Sequence, residues 1–232
     1  VGIILMGLSS LYGKAFYGGI FHIINHALFK SLLFLGAGII INTYGKRRIT
    51  EIRGVFKTLP FTSIVMIVGM LSITGAPFFN GFISKSIIKY GFKESVYKGY
   101  MFYILNLGTS VSFVKLSQIF FGKSDGKKYN SYGENIAMLL LGVGCISLGI
   151  FFIPMGRALF YIDLTFIKLS TPSIWVNYFI TLVIAYFIYR LFISKELPII
   201  KRVRHLNISF GTANSLLVLF VFLMIMWKFV GI

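Results

Sequence analysis

Acids are scarce in this sequence. Among 232 residues, six are Asp or Glu, against 23 Lys and Arg. The six, Glu51, Glu94, Asp125, Glu134, Asp163 and Glu196, all stand between apolar runs or at their ends. No paired carboxylates of the kind used in acid–base catalysis are found among them. Cysteine is scarcer still, with Cys145 alone. One thiol cannot form an internal disulfide, hold an iron–sulfur cluster or build a structural zinc site. No cofactor and no metal site are therefore expected in this chain, and any associated redox chemistry belongs to other chains. A Gly-rich phosphate loop, a nucleophile elbow, a low-complexity linker and an internal repeat are missing too. No strand-like alternation persists long enough for a membrane barrel. The opening "VGIILMGLSSLYG" has no basic region before its apolar stretch, so it does not read as a signal peptide. It reads as the end of a spanning helix, and the expectation is a C-terminal fragment of a longer protein.

What is present is apolar length. Hydrophobic residues make up 57% of the chain and charged residues 12%, against about 25% charged in an average soluble domain. A helix needs roughly 20 apolar residues to cross a bilayer. Such runs occur at 16–43, 59–91, 97–121, 135–153, 172–193 and 209–230, with a remnant at Val1–Tyr12. The second is interrupted at Gly75-Ala76-Pro77. The expected fold class is all-α: a polytopic membrane helix bundle of about six full transmembrane helices plus an N-terminal partial one, its second helix broken at Gly75-Pro77. The net charge of +17 falls in short clusters between these runs, which argues for a lipid bilayer and not nucleic acid as the partner.

Orientation follows from the basic loops. The stretch 45–58 holds Lys46, Arg47, Arg48, Arg53 and Lys57; 122–134 holds Lys123, Lys127 and Lys128; 190–206 holds Arg190, Lys195, Lys201, Arg202 and Arg204. The opposite side has about half as many cations. The three basic loops are expected to be cytoplasmic and the C-terminus outside, in a multi-pass cell-membrane protein.

Three cations remain within the spans: Lys30, Lys85 and Lys115. An intramembrane cation costs about 3 kcal/mol on insertion scales, so it needs a partner or a use. In "HIINHALFK", His22, His26 and Lys30 follow each other at four-residue spacing. At about 100° per residue they form one stripe, about 12 Å long. Imidazole titrates near neutrality, so such a stripe can pass a proton along. His22 is equally readable as an interhelical hydrogen-bond donor. For Lys30, proton handling is the favoured reading.

The second constellation is "LSITGAPFFNGFISKS". Gly75 and Pro77 break the helix, and Lys85 follows eight residues after Pro77. Ser72, Thr74, Asn80 and Ser84 can satisfy freed backbone groups or hold water. Broken helices at membrane depth line cavities or binding sites. Lys89, four residues on, is better placed than Lys85 to snorkel to the surface. Lys115 reads as structural. Arg157, Asp163 and Lys168 are expected on a surface helix at the outer interface, and His205 in a solvated basic loop.

"NHALFKSLLFLGAG" followed by "GAPFFNGFISK" resembles the antiporter-like proton-translocating subunits of respiratory complex I (NADH-quinone oxidoreductase), membrane-bound hydrogenases and Mrp-type Na+/H+ antiporters. The resemblance covers roughly residues 1–120. It implies that 1–121 is the C-terminal part of the antiporter-like domain and 122–232 a set of variable C-terminal helices. It implies that Lys30 is the central relay lysine with His26 and His22 beside it, and that Lys85 is the terminal lysine near the outer exit. The family's intramembrane Glu–Lys pair has no counterpart in this sequence. The implied partners are other membrane and peripheral subunits of a multisubunit complex. The leading expectation is a proton-translocating subunit of a redox-driven pump, complex I-like or hydrogenase-linked. A Mrp-type Na+(K+)/H+ antiporter subunit and a non-transporting membrane scaffold are the alternatives.

Overall fold

The computed structural model describes residues 1–10, 13–93, 95–126, 132–161, 163–167, 169, 171–195, 209, 211–216, 218–219 and 222, without the side chains of residues 159 and 160. Glu94, Lys127, Lys128, Lys168, Glu196, Lys201, Arg202, Arg204, His205, Lys228 and most of the expected last span lie outside these. The chain divides into two compact units, Val1–Tyr189 and Arg190–Ile232. In the second, residues 211–216 are helical.

The described residues of the first unit are helical with irregular connections and no strand. In lipid, backbone polar groups must find partners within their own segment, and a helix supplies them. The helices are α1 (Gly2–Leu8), α2 (Gly13–Tyr44), α3 (Val55–Thr58), α4 (Pro60–Thr74), α5 (Asn80–Gly91), α6 (Val96–Ser117), α7 (Tyr132–Ile150), α8 (Phe152–Phe160) and α9 (Pro172–Ile188). Three stretches are long and apolar enough to cross a bilayer whole: Gly13–Tyr44, Tyr132–Ile150 and Pro172–Ile193. At 22 residues α6 has the length too, although it carries Lys98, Asn106 and Lys115. Helices α4 and α5 are the two halves of the broken span. The chain is a polytopic membrane helix bundle.

Helix α2 is the central element, against which α1, α4, α5 and α7 pack. Its buried positions, including Phe21, His22, Asn25, Phe29, Leu32, Gly36 and Ile39, recur at three- and four-residue spacing. Phe29, Leu32 and Ile39 join Met66, Ile119 and Met138 in the main apolar core.

The segment after α7 departs from expectation. It is not one surface helix: α8 stops at Phe160, and Tyr161 adopts a left-handed conformation at φ 53°. The Asp163 carboxylate accepts from Arg157 at 3.2 Å and from the Thr165 hydroxyl at 2.8 Å. These bonds turn the chain back, so that Leu164 and Ile167 bury against Phe21, Ile83, Ile87 and Phe152.

At the other end of α2 a polar clasp ties the loops down. The Tyr44 hydroxyl lies 3.2 Å from Thr58 Oγ1 and 2.9 Å from Ser124 Oγ. Lys46 pairs with Asp125. The Gly54 amide donates to the Phe121 carbonyl at 3.0 Å.

Candidate functional site

The site is built at the break between α4 and α5. Gly75 caps α4 at φ 84°, a left-handed conformation that costs glycine nothing, and donates to the carbonyls of Leu71 and Ser72. Pro77 has no N–H. In a continuous helix that N–H would have bonded to the carbonyl of Ile73. The Ile73 carbonyl is instead taken by Lys85 Nζ, which donates to it at 2.6 Å. The same ammonium donates to Asn106 Oδ1 of α6 at 2.6 Å. Lys85 is 6% exposed. A Cβ at position 75 would stand 3.2 Å from Lys85 Cδ, so the glycine also leaves room for the lysine to fold back over the break. At Gly81 a Cβ would fall 1.8 Å from the Ser72 carbonyl oxygen, and the two half-helices meet there at a distance only glycine permits.

Lys85 lines a vestibule of about 550 Å³. Thr74, Gly75, Tyr103, Asn106, Phe166 and Tyr178 line it with Lys85, as do the exposed Lys89 and Lys93. Thr74 Oγ1 donates to the Met70 carbonyl at 2.8 Å and lies 3.0 Å from the Tyr178 hydroxyl, which ties α9 to the break. Lys89 Nζ sits 4.7 Å from the Tyr103 ring centre, and Lys14 Nζ sits 4.6 Å from that of Tyr90.

Two side-chain bridges join α2 to α5. His22 Nδ1 lies 2.7 Å from Ser84 Oγ, next in sequence to Lys85. Asn25 Nδ2 donates to the Asn80 carbonyl at 2.9 Å. Ser84 Oγ also reaches that carbonyl, at 3.3 Å. A hydroxyl both donates and accepts, so Ser84 can serve either tautomer of His22. Asn25 Oδ1, Ser72 Oγ and both side-chain polar atoms of Asn80 are buried without a nitrogen or oxygen partner. The Cys145 thiol of α7 lies against Ser72 and Asn80, a weak partner at best.

The stripe His22–His26–Lys30 is not equally placed along its length. His22 is buried at 3% exposure, whereas His26 and Lys30 are half-buried. The His22 and His26 rings are 6.2 Å apart, and His26 meets Phe29 edge-on at 5.3 Å. Lys30 Nζ stands 5.7 Å from the Phe34 ring centre. The structure thus joins His22 to the Lys85 helix at Ser84; among the described residues it puts Lys30 in hydrogen-bond contact with neither His22 nor Lys85. Asn25, which by angle lies at the edge of the stripe, sits in the middle of the buried face. The ion pairs among the described residues are Lys46–Asp125, Arg48–Glu51 and Arg157–Asp163, all outside the spans. Neither Lys30 nor Lys85 has a carboxylate partner among them. Lys115 is half-buried near the end of α6.

Asn106 and Tyr178 belong to the site and were missed in the sequence. For Asn106 a signal existed, because a polar side chain inside a span is a functional candidate by default. Tyr178 gave none, one tyrosine among 13.

Residues 1–109 match the family model described as NADH:quinone oxidoreductase/Mrp antiporter, TM. NADH-ubiquinone oxidoreductase chain 5 of Schizophyllum commune is 37% identical over 142 residues, 58% of this chain and 21% of that protein. Formate hydrogenlyase subunit 3 of Escherichia coli K12 is 38% identical over 103 residues, 40% of this chain and 17% of that protein. The matches therefore span about a fifth of the length of these relatives. Among solved structures, the Mrp complex from Dietzia sp. DQ12-45-1b contains a chain with the same fold. Its TM-score is 0.61 at 19% identity, over 78% of this chain and 42% of that one.

Proposed function

We propose that this chain, whose residues 1–109 match the family model described as NADH:quinone oxidoreductase/Mrp antiporter, TM, is part of a proton-translocating subunit of a redox-driven ion pump, complex I-like or hydrogenase-linked. The observation that carries the reading is Lys85. It is a buried cation without a carboxylate partner among the described residues, held at a helix break and opening onto a vestibule. A charge that costs this much to place at membrane depth is retained for use.

In this reading Lys30 is the central relay group, with His26 and His22 beside it, and Lys85 the last group before the outer face. His22 hands a proton toward α5 through the Ser84 hydroxyl. The unpartnered polar atoms of Asn25, Ser72 and Asn80 suit water at the break. A charge added elsewhere in the complex changes the proton affinity of each group and drives the next transfer. Redox chemistry lies on other chains, and other membrane and peripheral subunits are the partners. The basic loops 45–58, 122–134 and 190–206 face the cytoplasm of a cell membrane, the vestibule and the C-terminus the outside.

A Mrp-type cation/proton antiporter subunit is the second reading, favoured by the fold shared with the Mrp complex. The same lysines would serve it. The test uses the full-length assembly in everted membrane vesicles, with proton movement followed by a pH-sensitive dye. Lys30→Ala and Lys85→Ala should each lower transport by about a hundredfold or more, the worth of a proton-transfer group. Drive by NADH supports the redox pump, and drive by an imposed sodium gradient alone supports the antiporter. Unchanged transport in both variants leaves the scaffold reading.

A further inference from the structure

Lys85 Nζ has two fixed acceptors, and they come from different helices: the Ile73 carbonyl at the end of α4 and Asn106 Oδ1 on α6, each at 2.6 Å. Neither acceptor donates here: a carbonyl has no proton, and Asn106 presents its amide oxygen to Nζ. A neutral amine has two N–H donors and an ammonium has three. The two acceptors match the two donors of the neutral amine. The third N–H, the one that comes and goes, has to point elsewhere. Lys85 and Asn106 both line the vestibule, so the remaining direction opens into it.

The choice of an amide matters as much as its position. An amide oxygen is neutral and accepts from either protonation state. A carboxylate at the same place would bind the ammonium far better than the amine. Asn106 can hold the lysine in place while favouring its charged form far less than a carboxylate would. We propose that Asn106 is a positioning residue for proton release: it anchors Lys85 Nζ against the Ile73 carbonyl and leaves the departing N–H facing the vestibule. This rests on the reading of Lys85 as the last proton-bearing group. Among the described residues, the other titratable groups around Lys85 are Lys89 and Tyr90 on α5, Lys93 just after it, His22 on α2 beside Ser84, Tyr103 on α6 and Tyr178 on α9. Among the described residues no acid lines the vestibule, and a carboxylate placed at 106 would be the first among them.

The experiment compares Asn106→Asp, Asn106→Leu and Lys85→Ala in the full-length assembly. Aspartate matches asparagine in volume and leucine matches it in branching, and recovery of the complex is measured for each. Proton transport in everted vesicles is recorded against pH with acridine orange, driven by NADH and, separately, by an imposed sodium gradient. A carboxylate retains the proton, so Asn106→Asp should move the profile to the alkaline side, by about one to three pH units. Loss of the acceptor weakens the hold on the charged form, so Asn106→Leu should move it to the acid side, by about one unit. A merely structural role lowers the amplitude without opposite displacements. Each variant has its own sign, so either one that assembles decides the matter. Unmoved profiles, or shifts of the same sign, with Lys85→Ala inactive would overturn the role of Asn106 and leave the relay standing. Full transport in Lys85→Ala would overturn both.

Discussion

The two ends of α2 make opposite use of polar groups. At the Tyr44 end, side chains are paired: Tyr44 with Thr58 and Ser124, Lys46 with Asp125. Toward the other end, beside the helix break, Lys85 has no carboxylate partner among the described residues, and four buried polar atoms of Asn25, Ser72 and Asn80 lack a nitrogen or oxygen partner. The first arrangement is what stability asks for, since an unmet buried polar group costs more than a made bond returns. The second is tolerated only where something else depends on it. The comparison teaches that pairing, and not polarity, separates the structural cluster from the candidate site in this bundle.

The largest effect expected is at the junction of the half-helices. Gly81→Ala drives a methyl into the Ser72 carbonyl, where no flexible side chain can yield. Overpacking of that kind costs about 3 kcal/mol or more, and the measurement is the amount of assembled protein extracted from membranes. Normal accumulation would show that the break is looser than the structure has it.

Next comes a matched pair, one hydroxyl from each end. Ser84→Ala cuts the bridge between His22 and the Lys85 helix and should slow proton transport about tenfold, with assembly kept, the worth of one hydrogen bond of about 1.4 kcal/mol. Tyr44→Phe should do the reverse: it removes about 1 kcal/mol of stability, read as a lower melting temperature, and leaves transport unchanged. Equal transport losses would erase the distinction between the two ends.

The smallest effect concerns Asp125 on the clasp. Its hydrogen bond from Lys46 holds the carboxyl below its usual range. A carboxyl depressed in the folded state adds stability above its unfolded value, near pH ~3.9, and loses it as pH falls through the folded one. Asp125→Asn should therefore be slightly less stable than the parent at pH 7, and the gap should close at acid pH and in high salt, because the pair is exposed. Melting temperatures across pH check the sign, and a gap that widens on acidification would contradict it.

Much of this was legible in the chain. "GAP" gave the break to the residue, because proline's missing donor and glycine's left-handed freedom are local properties. Three of the apolar runs, 16–43, 135–153 and 172–193, correspond to Gly13–Tyr44, Tyr132–Ile150 and Pro172–Ile193. The surface helix expected around Arg157 and Asp163 was not legible as it is: the Asp163 turn and the burial of Leu164 and Ile167 depend on α5 lying underneath. The angular stripe was correct as geometry, yet it left open which side of α2 is buried. That was settled by α5 packing over His22 and Asn25 and leaving His26 and Lys30 half-covered.

By itself the sequence determined that this is a membrane helix bundle with cations inside it and a span broken ahead of Lys85. Those features follow from hydropathy, helical period and backbone chemistry, which act over a few residues. Only the tertiary structure decided what each cation meets. Ser84 reaches His22 across 62 residues, and Lys85 reaches Asn106 across 21. Which helices are neighbours, and at what rotation, is set by the packing of whole faces, and no local rule contains it.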